Sequence, residues 1–145
     1  MKKAIIVSGS VATGKTTFAK KFSKKNNYEY LDVTSFIKEN ELCDSFDSKR
    51  KCYVVDINKL NRKLYSLIKN SKKTLVIDSH MSHYLNPNYV KLCYILKCDL
   101  KKLKKRLEKR KYTQLKIKEN LDAEIFDVCY EEAKKKKHKI KIVNT

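Results

Sequence analysis

Both glycines of this 145-residue chain lie within one short stretch, where residues 9–16 read GSVATGKT. The stretch fits the pattern G-x-x-x-x-G-K-[ST], in which the backbone N–H groups of a turn point inward and form a nest for anions. An apolar run of residues 4–9 precedes the turn, and a helix-forming run begins at Lys15. The positive end of such a helix favours bound phosphate. The stretch therefore predicts a nucleotide-binding phosphate loop, and its strand–turn–helix context argues against a chance match.

The pattern of the phosphate loop predicts roles for individual residues. Lys15 is predicted to reach the β- and γ-phosphates of a nucleotide, and the Thr16 hydroxyl is predicted to bind Mg²⁺. The predicted nucleotide-binding residues in and beside the loop are Gly9, Val11, Ala12, Thr13, Gly14, Lys15, Thr16 and Thr17.

A later apolar run, residues 74–78, ends in the carboxylate Asp78. In a phosphate-loop protein a carboxylate at the end of such a strand holds Mg²⁺, so Thr16 and Asp78 are the predicted metal ligands. His80 follows at the same edge, where an imidazole can orient a water molecule or polarise a phosphate. The alternative is a loop histidine that is hydrogen-bonded to backbone, and we favour this alternative for His83.

Short apolar segments alternate with helical periodicity along the chain. The expected strands are residues 4–9, 28–33, 74–78, 90–98 and 140–143, and the expected helices are residues 15–25, 34–42, 56–70, 99–110 and 115–137. Strands without strict alternation, separated by helices, are typical of a parallel sheet that is covered on both faces. This predicts an α/β doubly wound fold with three α/β/α layers and a five-stranded parallel sheet.

Finer expectations follow from the same pattern. Thr34 or Ser35 is predicted to cap the second helix and Asp99 the fourth. The helix at residues 115–137 is predicted to be continuous, with an inward stripe formed by Ile117, Leu121, Ile125 and Val128. Residues 44–53 are polar and are predicted to be irregular.

The chain carries 35 basic and 16 acidic residues, a net charge of +19. Such a charge favours polyanionic partners such as nucleotides or RNA, but it also fits a lysine-biased genome whose lysines cover solvated surfaces. Only four of the basic residues are arginines: Arg50, Arg62, Arg106 and Arg110. Because arginine is preferred where phosphate is bound in a bidentate manner, these four are better functional candidates than any single lysine.

The five cysteines are odd in number and form no C-x-x-C pair, which argues against a disulfide framework and against a zinc site. The longest unbroken apolar run, residues 92–96, is too short to span a membrane. We therefore expect no membrane association and a location in the reducing cytoplasm, where free thiols persist.

Three further stretches resemble the ribosome-assembly adenylate kinases, a family that comprises adenylate kinase isoenzyme 6 and its archaeal relatives. They read VIDSHMSHYL at residues 76–85, RLEKRKY at residues 106–112 and EIFDVCYEEA at residues 124–133. The resemblance extends over nearly the whole chain, and the second and third stretches are far more specific than the phosphate loop.

The resemblance implies a fold like that of nucleoside monophosphate kinases. It implies one kinase domain over residues 1–145, with a monophosphate-binding segment at about 33–55 and a lid at about 108–118. It also implies phosphoryl transfer from MgATP to AMP with accompanying ATPase activity, and a part in small ribosomal subunit maturation. The implied partners are ATP, ADP, AMP, a small-subunit ribosomal protein and pre-rRNA, with Mg²⁺ as cofactor. An ATP-driven assembly factor with weak kinase activity, or a kinase for another small molecule, stays open as an alternative.

The resemblance also extends the predicted site. Arg106 is implied to pack near the adenine and Arg110 to reach phosphate, and their spacing of four places both on one helix face. Together with Lys15 and His80 they form the predicted catalytic set, although a solvated basic helix is the alternative for the arginines.

The chain departs from the family pattern at four positions. The family's arginine on the monophosphate side is Lys38 here, a point charge without a bidentate grip, and Arg50 is the candidate that compensates for it. The family's proline and glycine in the phosphate loop are Val11 and Ala12 here, and its glycine in the lid turn is Lys111. We expect the additional Cβ atoms to narrow the phosphate loop slightly.

Overall fold

The strand ahead of the phosphate loop is apolar on both faces and lies in the middle of the main sheet. This strand, β1 (Ala4–Gly9), is buried along its whole length. Ile6 belongs to the apolar cluster on one side of the sheet, whereas Ile5 and Val7 belong to the cluster on the other side. A strand that is buried on both faces requires a helical layer on each side, and the chain supplies both layers.

The computed structural model describes the backbone of residues 3–47 and 52–145, and the side chains of residues 3–42 and 55–145. After β1 the elements follow in this order: α1 (Lys15–Asn26), β2 (Glu29–Asp32), α2 (Val33–Glu39), β3 (Cys43–Asp47), β4 (Cys52–Val55), α3 (Ile57–Asn70), β5 (Leu75–Asp78), β6 (Val90–Lys97), α4 (Leu100–Lys109), α5 (Gln114–Ile125), α6 (Val128–Lys135) and β7 (Ile140–Asn144). Two short 3₁₀ turns, Ser82–Tyr84 and Pro87–Tyr89, lie between β5 and β6.

The main sheet has five strands in the order β2-β5-β1-β6-β7, and every neighbouring pair is parallel. The predicted five-stranded parallel sheet is therefore confirmed. In the register of the sheet, Asp78 of β5 lies beside Val7 of β1 on one side and beside Asp32 of β2 on the other. Because the strands are parallel, their carboxyl ends share one edge, and the segments after β1, β2 and β5 all begin there.

Helices cover the two faces of the sheet with apolar side chains. On one face, Leu60, Leu64 and Ile68 of α3 are buried in the cluster that contains Ile6. On the other face, Ala19 of α1 is buried, and Phe18 and Phe22 of the same helix pack beside it. A third cluster joins the phosphate loop to the last helices and contains Ala12, Cys98, Leu103, Leu107 and Ile117.

The prediction that residues 44–53 are irregular was wrong. β3 and β4 pair antiparallel and form a separate two-stranded sheet. Such a ribbon is held by backbone hydrogen bonds, so it does not need the long apolar runs by which the other strands are identified. Arg50, the predicted compensating residue, lies outside the described residues.

The prediction of one continuous helix over residues 115–137 was also wrong. α5 ends at Ile125, and α6 begins at Val128 after Asp127, whose φ is 52°. Asp127 pairs with Lys97 at the end of β6, a long-range contact that accompanies the break. Ile117 is buried as expected, but Ile125 and Val128 are 54% and 39% exposed and do not face the core. Aspartate adopts left-handed backbone more readily than most residues, and no glycine or proline marks this break.

One of the two predicted helix caps is confirmed, and the other helix is capped by a different residue. Asp99 caps α4 as predicted, since its side chain accepts hydrogen bonds from the N–H groups of Lys101 and Lys102. α2 is capped by Asp32, two residues before Thr34 and three before Ser35, because the Asp32 side chain accepts a hydrogen bond from the N–H of Thr34. Within the part of the chain that the structure describes, no helix combines the length and the apolar character that crossing a bilayer requires.

Candidate active site

The two glycines of the phosphate loop have backbone conformations that other residues rarely adopt. Gly9 has a φ of 144° and Gly14 a φ of 93°. A Cβ atom on Gly9 would lie 2.6 Å from the carbonyl oxygen of Leu96, so the close approach of β6 also requires glycine there. Gly14 lies directly before α1, which places the N-terminus of that helix at the loop.

Ala12 stands where the resembling family has a glycine, and its φ is 68°. Its side chain is buried in the cluster that contains Leu103 and Leu107 of α4. From the same helix, Arg106 donates a hydrogen bond through Nη1 to the carbonyl oxygen of Ala12 at 3.2 Å. These contacts hold an alanine in a left-handed conformation that would otherwise be unfavourable, and they fix the loop to α4.

The Lys15 ammonium lies against the phosphate loop itself. Its Nζ donates to the carbonyl oxygen of Ser10 at 2.7 Å, and Thr13 Oγ1 donates to the same oxygen at 2.7 Å. Burial lowers the pKa of Lys15 to about 8, although the nearby Asp78 carboxylate opposes this effect. The loop therefore holds a positive charge that is poorly solvated, and an anion placed beside it would be attracted strongly.

Asp78 lies where β5 ends, and two hydroxyl groups donate to the same oxygen of its carboxylate. Thr16 Oγ1 and the Tyr30 hydroxyl each lie 2.8 Å from Asp78 Oδ2. The Thr16 hydroxyl and the Asp78 carboxylate are oxygen donors, the kind that Mg²⁺ prefers beside nucleotide phosphates. These two residues fit the predicted metal site, and a bound Mg²⁺ would neutralise phosphate charge there. Sequence reasoning did not identify Tyr30, because nothing in its local pattern distinguishes it from the other tyrosines.

The two histidines after β5 have different surroundings. His80 is exposed and lines the cleft, and its partly desolvated position together with Lys15 lowers its pKa, so the ring is neutral near pH 7. His83 is buried inside the fold, where its Nδ1 is hydrogen-bonded to Ser8 Oγ at 2.7 Å and its Nε2 lies 3.7 Å from Glu132 Oε1. The structure therefore places His80 at the cleft and His83 in the core, although His83 pairs with side chains and not with backbone as expected.

A cleft of about 450 Å³ lies over the phosphate loop. The predicted site residues that line it are Val11, Ala12, Gly14, Lys15, Thr16, Thr17, Lys38, Asp78, His80 and Arg110. Lining residues that the sequence analysis did not single out for the site include Asp32, Ile37, Val55, Met81, Tyr112 and Lys116. Lys38 lies in α2, within the predicted monophosphate-binding segment, and Asp32 ends β2 directly before it, so the cleft joins the loop to that segment.

A second groove of about 660 Å³ adjoins the first at Ala12, Gly14, Thr17 and Arg110. It is also lined by Arg106, Lys21 and Phe18, among others. Arg106 donates through Nη1 to Thr145 Oγ1 at 3.4 Å, and the Thr145 hydroxyl donates to the carbonyl oxygen of Thr13 at 2.7 Å. Both predicted arginines thus share one groove, and Arg110 also reaches the first cleft.

The remaining predicted loop residues lie behind the cleft surface. Gly9 and Thr13 are buried, and the Thr13 hydroxyl donates to the carbonyl oxygen of Ser10 within the loop. Glu124 of α5 accepts hydrogen bonds from Ser10 Oγ at 3.3 Å and from the N–H of Cys98 at 2.7 Å. This buried carboxylate ties α5, which begins within the predicted lid, to the loop, and the sequence analysis assigned it no role.

Known structures share this architecture. A sugar kinase from Janibacter sp. HTCC2649 has a TM-score of 0.65 at 13% identity and covers 99% of this chain and 86% of its own. The YorR protein of Bacillus subtilis, solved with phosphorylated GDP, has a TM-score of 0.63 at 20% identity, and the match covers 98% of this chain and 85% of that chain. The shikimate kinase of Bacteroides thetaiotaomicron has a TM-score of 0.56 at 17% identity over 98% and 86%. At such identities the likeness establishes the fold alone: a phosphate-loop kinase fold of the nucleoside monophosphate kinase type.

Sequence relatives then identify the family. A family model described as an AAA domain matches residues 5–127. The chain is 36% identical to the adenylate kinase isoenzyme 6 homolog of Dictyostelium discoideum, over 92% of this chain and 75% of that protein. It is 38% identical to the adenylate kinase isoenzyme 6 homolog of Schizosaccharomyces pombe, over 90% of this chain and 73% of that protein. A Methanocaldococcus jannaschii protein, provisionally named as an adenylate kinase, is 37% identical over 97% and 77%.

The chain belongs to the adenylate kinase isoenzyme 6 family, which confirms the resemblance of its three diagnostic stretches. This membership, together with the fold, places the chain among the nucleoside monophosphate kinases.

Proposed function

We propose that this protein transfers the γ-phosphoryl group of MgATP to AMP and hydrolyses ATP more slowly when AMP is absent. One observation carries the proposal: a single cleft is lined by Lys15 of the phosphate loop, Asp78 at the end of β5, His80 two residues further on, Lys38 of α2 and Arg110 after α4. Cations approach this cleft from three separate elements, which is what a triphosphate and a second phosphate require.

On the ATP side, the loop N–H groups and Lys15 bind the phosphates, and Thr16 and Asp78 hold Mg²⁺. The groove that Arg106 lines adjoins the cleft at Ala12 and Gly14, and it receives the adenine base of ATP. Arg110 lines both spaces, so it is placed to contact phosphate during transfer. The family resemblance implies these roles, and the positions of Arg106 and Arg110 along the two clefts support them.

On the AMP side, Lys38 supplies the positive charge that meets the monophosphate. The phosphate of AMP is already an anionic nucleophile, so no side-chain base is needed, and catalysis rests on alignment and charge. When AMP is absent, water takes its place, and the neutral His80 ring is placed to orient that water.

The test is a coupled assay of ADP formation from ATP alone and then with each nucleoside monophosphate. We expect AMP to raise ADP formation well above the rate with ATP alone. Lys15→Ala is expected to remove most of this activity, since one lost contact of this kind costs about 3–4 kcal/mol. Stimulation by shikimate or a sugar, but by no monophosphate, would contradict the proposal and would favour a kinase for another small molecule.

Lys38 provides a sharper test of the AMP side. Lys38→Ala is expected to raise the KM for AMP at least about tenfold while it leaves the KM for ATP unchanged, because a charged hydrogen bond to phosphate is worth about 1.5–3 kcal/mol. Lys69→Ala is the matched control, since Lys69 is an exposed lysine in the last turn of α3 and does not line the cleft. Equal effects of Lys38→Ala on both substrates would place Lys38 outside the monophosphate site.

We further propose a part in small ribosomal subunit maturation, in the cytoplasm, through a small-subunit ribosomal protein and pre-rRNA. Family membership and the net charge of +19 support this role. If it holds, bound nucleotide changes the affinity for the ribosomal protein, and that protein changes the affinity for nucleotide by the same factor. Titration of the protein with and without ATP tests this, and identical affinities would indicate a purely metabolic kinase.

A further inference from the structure

Tyr30 of β2 reaches across the sheet toward the end of β5. In the register of the two strands, Tyr30 lies beside Val76, and Asp32 lies beside Asp78. Side chains two residues apart in a strand share a face, so Tyr30, Val76 and Asp78 all lie on the α1 side. Tyr30 and Val76 belong to the same apolar cluster on that side. A tyrosine at this register position is long enough for its hydroxyl to extend to the carboxylate two residues further along.

The Tyr30 hydroxyl donates to Asp78 Oδ2 at 2.8 Å, and Thr16 Oγ1 donates to the same oxygen at the same distance. Two donors from different elements, β2 and α1, fix the carboxylate in one orientation. The Thr16 hydroxyl has a second task, because its oxygen is also the predicted ligand of Mg²⁺. The Tyr30 side chain is half-buried, and its hydroxyl is not itself a predicted ligand of the metal.

We propose that Tyr30 is a positioning residue of the metal site, which holds Asp78 by Oδ2 so that the carboxylate is oriented before Mg²⁺ and nucleotide bind. The inference rests on the proposed function only in its assignment of Mg²⁺ to Thr16 and Asp78. Tyr30 also lies two residues before Asp32, the cap of α2, so its bond joins the metal site to the strand that leads into the monophosphate-binding segment.

The test compares Tyr30→Phe with Tyr28→Phe. Each variant removes one phenol oxygen and keeps the ring. The ring centroid of Tyr28 lies 6.0 Å from that of Phe22, on the same side of the sheet as Tyr30. The primary measurement is the binding of Mn²⁺ to the protein with a non-hydrolysable ATP analogue, followed by electron paramagnetic resonance. We expect Tyr30→Phe to weaken Mn²⁺ binding by about 10-fold, the usual effect of removing a residue that orients a metal ligand, and Tyr28→Phe to have no effect.

Activity and stability measurements separate positioning from folding. In Tyr30→Phe the Mg²⁺ concentration for half-maximal activity is expected to rise by the same factor, while kcat at saturating Mg²⁺ stays within about threefold of the parent. Metal-free binding of the nucleotide analogue and the melting temperature are expected to match those of Tyr28→Phe, which shows that the variant is folded. A Mn²⁺ affinity within twofold of the parent, or an equal loss in both variants, would overturn the proposal.

The proposed function can fail separately from this inference. Asp78→Asn is expected to weaken Mn²⁺ binding more than Tyr30→Phe does. If Asp78→Asn has no effect, the metal assignment fails, and the role of Tyr30 falls with it. If the parent phosphorylates no monophosphate but Mn²⁺ binding responds as expected, the positioning role stands and the assigned substrate is wrong.

Discussion

Lys15 illustrates how burial changes the chemistry of a single side chain. Its pKa is lowered to about 8, so the free protein loses this charge as the pH rises through 8. Bound phosphate favours the ammonium form, so ATP binding above pH 8 takes up a proton, and the affinity for ATP falls as the pH increases. Calorimetric titration from pH 7 to about pH 9.5 checks this expectation. Lys15→Arg is the control, because arginine keeps its charge throughout this range. Parallel profiles for the parent and Lys15→Arg would show that Lys15 does not titrate.

His80 offers a second prediction at the level of one residue. Because the ring is neutral and lines the cleft, we expect it to contact water or phosphate without adding charge to the ground state. His80→Ala is expected to lower kcat for ATP hydrolysis by roughly 100-fold or more, the usual effect of losing such a group, with little change in ATP affinity. Single-turnover rates and equilibrium binding measure the two quantities. Equal losses in rate and binding would indicate a residue that grips the nucleotide instead.

Among the elements, the end of α4 carries a local strain that a single substitution relieves. Lys111 follows the helix with a φ of 57°, and its N–H donates to the carbonyl oxygen of Glu108 at 3.0 Å. Glycine adopts this conformation without a Cβ clash, so Lys111→Gly is expected to stabilise the protein by about 1 kcal/mol. For a chain of this size that corresponds to a rise of roughly 2–4 °C in melting temperature.

Lys109→Gly provides the matched control for this element. Lys109 is an exposed residue inside the last turn of α4, where glycine costs about 1 kcal/mol. The two variants remove the same side chain two positions apart, and opposite shifts in melting temperature are expected. A fall in both would show that the conformation at Lys111 is not strained.

The excess of positive charge belongs to the whole molecule. With a net charge of +19, the protein is expected to bind RNA by releasing counterions, whether or not RNA has a part in its function. Such binding weakens steeply with salt and ignores sequence, so two unrelated RNAs should bind alike and lose at least about tenfold in affinity between 50 and 200 mM salt. Fluorescence anisotropy with both RNAs checks this. Salt-resistant binding that prefers one RNA would point to a built recognition surface.

The sequence by itself determined the features whose causes are local. The phosphate loop has glycine at Gly9 and Gly14, where φ is 144° and 93°, and a lysine at the start of a helix, so residues 9–16 predict both the loop and its position. β1 and β5 are buried along their whole length, and such strands need unbroken apolar runs, so both could be read from residues 4–9 and 74–78. The carboxylate that ends β5 followed from the same pattern, because parallel strands end at a common edge.

The tertiary structure decided what depends on contacts between distant residues. The bond between Tyr30 and Asp78 spans 48 positions, and only the pairing of β2 with β5 brings the two side chains together. Asp127 lies where the expected single helix divides into α5 and α6. It pairs with Lys97, a residue 30 positions away, and only folding brings the two together. The antiparallel pairing of β3 with β4 is held by backbone hydrogen bonds, which leave no apolar period in the sequence. Local patterns thus specify loops and buried strands, whereas the partners of individual polar side chains are fixed only when the chain has folded.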